Sequence, residues 1–155
     1  MAGRIEKRFA ELGLKLPEAA APVANYVPYV VTGNVVFAAG QITLVKGQVK
    51  YVGIVGKDLT LDDGYQAARL CGLNLLAQLS AACKGDLDRC RRVVRVGGFV
   101  RCTPEFLDQP KVINGASDLM VQVFGDSGRH ARTAIGVASL PLGAAVEVDA
   151  VFEIS

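Results

Sequence analysis

The segment Arg132–Ser155 reads RTAIGVASLPLGAAVEVDAVFEIS, two apolar runs parted by the turn-forming Pro141-Leu142-Gly143. Alternation in the second run puts Val146, Val148, Ala150, Phe152 and Ile154 on one face and Glu147, Asp149 and Glu153 on the other. That is the period of a half-buried strand. Arg132 heads the first run and shares a strand face with Ala134, Gly136 and Ala138. Small neighbours leave room beside the guanidinium, whose planar fork of donors suits bidentate capture of a carboxylate. The same residues allow a plainer reading, a salt bridge from Arg132 to an acidic residue within the fold. Taken alone, the stretch predicts strands over 132–140 and 144–154 joined as an antiparallel hairpin.

Working upstream, Val112, Ile113, Ala116, Leu119, Met120, Val123 and Phe124 recur at helical spacing, and Arg92–Arg101 before them reads as a strand. A longer helix starts at Thr60 as N-cap, carries Tyr65, Ala68, Cys71, Leu75 and Leu79 on one stripe, and stops at Gly85. Two β-branched runs flank Thr32-Gly33-Asn34, which predicts a tight hairpin, and a short strand pair is expected around Gly47. The order after the opening hairpin is strand, helix, strand, helix, strand, strand, and helical crossovers imply that the strands they join run parallel. Crossovers of one hand place both helices on the same side of the sheet. The other side is then bare, with Val35, Phe37, Val94, Val96, Ile135 and Val137 on it. An exposed apolar sheet face marks a partner surface, so a homo-oligomer is predicted.

The remaining chain divides at about residue 24. Residues 1–24 hold a short amphipathic helix over Gly3–Leu12, ended by Gly13, and a linker in which Pro17 and Pro22 enforce an irregular path; residues 25–155 form the domain proper. A chain of 155 residues, 51% hydrophobic, has enough apolar surface for one core. The net charge of +2 is too small to argue for nucleic acid or a membrane surface. Glu6 and Glu11 are unlike a transit peptide, and no uninterrupted apolar run reaches spanning length, so a soluble, cytoplasmic protein is expected.

Several chemistries lack the residues they need. Cys71, Cys83, Cys90 and Cys102 show no C-x-x-C spacing and only His130 could join them, so free thiols and no bound metal are predicted. There is no nucleophile elbow, P-loop or G-x-G-x-x-G fingerprint, and His130 in SGRHAR reads as a loop residue. Arg89, Arg91, Arg92, Arg95 and Arg101 have no interleaved aromatics to stack bases and read as a solvated strand edge.

NYVPYVVTGNVVFAAGQI (25–42) and ARTAIGVASLPLGAAVEVDA (131–150) together resemble the two signature regions of the Rid family, the reactive intermediate deaminases also called YjgF or L-PSP endoribonuclease-like proteins. The resemblance covers nearly everything from Asn25 onward. It implies an α+β, chorismate-mutase-like fold, a mixed sheet with two helices packed on one face and a further strand between the last two, contrary to the hairpin above. It also implies a homotrimer with a ligand cleft between subunits. Carried over residue by residue, the resemblance makes Arg132 the grip on a substrate carboxylate and Glu147 the residue that activates water. Tyr26, Gly40 and Asn114 fall on substrate-binding positions. Ala39 stands where the family has serine and Ala134 where it has cysteine, which marks a divergent subgroup. The implied reaction is cofactor-free hydrolysis of 2-imino acids to 2-keto acids and ammonia. The alternatives are a keto-acid binding module and, with only the arginine cluster behind it, an endoribonuclease.

Overall fold

The computed structural model describes residues 2–155. Its strands β1 (Tyr29–Thr32), β2 (Val35–Gln41), β5 (Cys90–Arg101), β6 (Ala131–Val137) and β7 (Val146–Ile154) form one sheet in the order β1-β2-β7-β5-β6. A separate ribbon pairs β3 (Leu44–Val45) with β4 (Gln48–Val49) around Gly47, which takes a positive φ of 78°. The helices are α1 (Arg4–Glu11), α2 (Leu61–Ala82) and α3 (Gln109–Phe124). This is the α+β mixed sheet expected above.

Local chemistry explains where the elements begin. Thr60 accepts from the Asp63 backbone N–H while the Asp63 carboxylate accepts from the Thr60 N–H, a reciprocal cap that starts α2. Gly33, with φ of 58°, makes the two-residue turn between β1 and β2. β5 and β6 run parallel across the α3 crossover, and both β2 and β5 run antiparallel to β7. The simple hairpin of β6 with β7 does not form, because β5 lies between them. Strand β6 also ends sooner than its apolar run, at Val137.

Helices α2 and α3 cover one face of the sheet. Val36, Val93, Val100, Val148 and Phe152 are buried under Leu75, Leu76, Leu79, Ile113 and Leu119. Glycines set the depth of this packing: at Gly98 an added Cβ would meet the Ile113 side chain, and at Gly115 it would meet the Tyr65 carbonyl. The opposite face is open, and Val30, Phe37, Val94 and Ile135 stand exposed on the sheet. Val96, expected on that face, is instead fully buried beneath the helices. Register shifts between Cys90 and Arg92 and between Val93 and Arg95 reset the alternation of β5.

The first helix joins the same core through buried Ile5 and Phe9. Its N-cap, Gly3, has no side chain to give. The Asp88 carboxylate supplies the missing acceptor, taking the N–H groups of Arg4 and Ile5 at 2.7 and 2.8 Å. Among the described residues no helix is long and apolar enough to cross a membrane.

Candidate functional site

The expected site residues fall into two groups on opposite faces of the sheet. Arg132 pairs with buried Val96, so it points to the helix-covered face at the edge strand β6. Glu147 pairs with Phe99 and alternates with buried Val146 and Val148, so it points to the open face. Within one chain the two side chains do not meet.

Around Arg132 the covering helix contributes polar groups. Its Nη1 donates to Asn114 Oδ1 at 2.8 Å and to Ser117 Oγ at 3.1 Å. Asn114 and Ser117 are three residues apart on α3 and therefore share a helix face. Ala134, next along the same strand face, is half-buried and packs against the core. No carboxylate of the described residues lies within salt-bridge distance of Arg132. The salt-bridge reading is therefore not what the fold contains. The charge is half-buried, held by neutral groups, and has no ion-pair partner among the described residues.

Around Glu147 the constraint is a glycine. An added Cβ at Gly40 would lie 2.7 Å from Glu147 Oε2, so only glycine leaves the carboxylate its position. Gly40 sits in the β2 irregularity between Ala38 and Gln41, which turns the strand end past Glu147. Half-buried Ala39 precedes it, its N–H bonded to the Pro28 carbonyl at 2.8 Å. Burial, and then the nearby Asp149 carboxylate, push the Glu147 carboxyl above the usual carboxylate range. Tyr26 is 53% exposed in the bend before β1 and makes no side-chain hydrogen bond among the described residues. The structure thus places Arg132, Asn114 and Ala134 in one cluster and Glu147, Gly40 and Ala39 in another, with Tyr26 in neither.

One residue near Arg132 was missed in the sequence, and a second was read only as a loop residue. Ser117 could have been found from its spacing to Asn114. His130, two positions before Arg132, does lie in a loop, but it is half-buried and bonded on both ring nitrogens, to Gly128 and to Ser117. The four cysteines are free, with Cys71, Cys83 and Cys90 buried and Cys102 half-buried. Burial pushes the Cys71 thiol up and the Cys90 thiol to about 12, so neither is a ready nucleophile.

The family described as "YjgF/chorismate mutase-like, putative endoribonuclease" matches residues 6–154. Protein TCP17 of Trypanosoma cruzi is 49% identical over 99% of this chain and 96% of its own length. A crystal structure of the Agrobacterium tumefaciens protein Atu1372 superposes with a TM-score of 0.91 at 48% identity, covering 97% of this chain and 92% of that one. A Shewanella oneidensis structure described as a putative endoribonuclease gives 0.93 at 37% identity, covering 98% and 100%.

Proposed function

This chain belongs to the YjgF/chorismate mutase-like family, and from that premise we propose that it hydrolyses small 2-imino acids to 2-keto acids and ammonia at a cleft shared by two copies. The observation that carries the reading is the Arg132 guanidinium, fixed by Asn114 and Ser117. A half-buried cation without a carboxylate partner among the described residues is suited to take one from a ligand.

The chemistry requires no cofactor. The substrate carboxylate binds Arg132, which fixes the C=N carbon in place. The Glu147 carboxylate of an adjoining copy takes a proton from water as the water oxygen bonds to that carbon. Glu147 returns that proton to the nitrogen, giving a carbinolamine; transfer of the hydroxyl proton to the same nitrogen then breaks the C–N bond, and ammonia leaves as the C=O forms. One water is consumed and no oxidation occurs. A raised Glu147 pKa supports this role, since a base closer to neutral pH is the stronger proton acceptor.

The test uses an imine generated in place by an amino-acid oxidase, with and without the purified protein. Arg132→Ala is expected to weaken binding of pyruvate by about 30-fold or more, as for loss of one partner of a desolvated charge pair. Glu147→Gln is expected to keep that affinity while imine hydrolysis falls by about 100-fold. Pyruvate binding without any acceleration by the wild type would replace the enzyme with a keto-acid binding module, as the alanines at 39 and 134 would then suggest. Unchanged binding in Arg132→Ala would refute the reading.

A further inference from the structure

The hydrolytic scheme uses Arg132 but leaves His130 and Ser117 without a task. With the ring neutral, their hydrogen bonds have one consistent set of directions. His130 Nδ1 lies 2.7 Å from the Gly128 carbonyl oxygen, which can only accept, so Nδ1 carries a hydrogen. Burial lowers the His130 pKa and Arg132 lowers it further, against the opposing Gly128 carbonyl, so the ring is neutral and Nε2 is a bare acceptor. Ser117 Oγ, 2.9 Å from Nε2, must therefore donate its one hydrogen there. With that hydrogen committed, Oγ can only accept, and Arg132 Nη1 at 3.1 Å is the donor.

Arg132 Nη1 thus gives one hydrogen to Ser117 and the other to Asn114 Oδ1 at 2.8 Å. Both of its hydrogens are used, while Nε and Nη2 make no hydrogen bond among the described residues. That free edge carries the pair of parallel donors that a carboxylate takes in a bidentate fork.

We infer that Ser117 and His130 are positioning residues: with Asn114 they lock the Arg132 guanidinium by its Nη1 corner and aim the Nε–Nη2 edge at the carboxylate of a 2-oxo or 2-imino acid. The ligand half of this inference rests on the function proposed above; the relay from Gly128 to Arg132 does not. A free serine hydroxyl could rotate and compete for the ligand. One held by His130 cannot.

The relay is read by nitrogen-15 NMR on the full chain labelled in histidine and arginine. The wild type is expected to show a neutral His130 protonated at Nδ1, and separate, slowly exchanging Nη1 hydrogens on Arg132. Ser117→Ala should merge the Arg132 signals and Ser117→Thr, which keeps a hydroxyl, should restore them. Titration with pyruvate and with pyruvamide then reads the ligand half. Ser117→Ala is expected to lose about 10-fold in affinity for pyruvate, the loss of one hydrogen bond to a charged group, with no change for the uncharged amide. Threonine should recover it. A His130 protonated at Nε2, or Arg132 signals indifferent to Ser117→Ala, would overturn the relay. An equal loss for pyruvate and pyruvamide would reduce Ser117 to a structural residue. A wild type with the expected signals but no affinity for pyruvate would refute carboxylate capture, and with it the proposed function, while leaving the relay as a structural tie.

Discussion

Glu147 stands where its charge is opposed. Burial takes water from the carboxylate, Asp149 adds a like charge, and the glycine at position 40 closes off the near side. The sign of the consequence for stability is fixed by the direction of the shift. The folded state holds this proton more tightly than the unfolded chain does. Ionisation of Glu147 therefore costs nothing below the ordinary carboxylate range, and its full cost is felt above the raised folded pKa. Glu147→Gln removes that cost, so its melting temperature is expected to exceed that of the wild type at neutral pH. Calorimetry at successively lower pH should show the difference shrinking as Glu147 takes up its proton. A difference that stays constant or grows toward acid would show that the carboxylate is not strained. At the same scale, Asp149→Asn removes one of the two causes of the shift, so the acid limb of the imine hydrolysis profile is expected to move to lower pH. An unmoved limb would leave burial as the whole cause, or Glu147 outside the reaction.

Helix α3 carries Asn114 and Ser117, so the crossing of α2 and α3 sets the geometry around Arg132. Gly115, next to Asn114, lets α3 approach the backbone of α2 at Tyr65 and Arg69, and Gly72 admits Leu119 and Ala116 from the other side. Gly115→Ala is expected to push the helices apart and cost about 1 to 3 kcal/mol or more, read by denaturant unfolding. Pyruvate affinity should fall in the same variant, because the two holders of Arg132 move with the helix. Unchanged stability would mean that the crossing has slack. Features made by neighbours in the chain were legible in the sequence: Thr60 and Gly85 bounded α2, and the alternation around Glu147 gave its face. Features made by distant residues were not. The cap of α1 comes from Asp88, Val96 changed faces because of bulges that composition does not mark, and Ser117 meets His130 only after α3 has packed on β6. The place of β5 between β6 and β7 came from the family resemblance, since the turn at 141–143 alone argued for a hairpin.

For the whole molecule, the decisive fact is that Arg132 and Glu147 lie on opposite faces of one sheet. A chain that needs both in one cleft must borrow one from a copy of itself. The open face offers a surface for that association, with exposed Val30, Phe37 and Ile135 set beside the pair Arg95–Asp149, whose guanidinium also donates to Thr133 at 2.9 Å. A closed ring of three copies would repeat the same heterologous contact and complete three clefts. The most direct measurement is complementation. Arg132→Ala and Glu147→Gln are each made, then co-expressed in equal amounts under separate tags and purified as mixed assemblies through both. Each variant alone is expected to be inactive. In every mixed ring of three, one cleft pairs an intact arginine with an intact glutamate, and imine hydrolysis should return to about a third of the wild-type rate. Mixed assemblies no more active than either parent would place both residues in one chain's site, or neither in any, and would contradict the shared cleft.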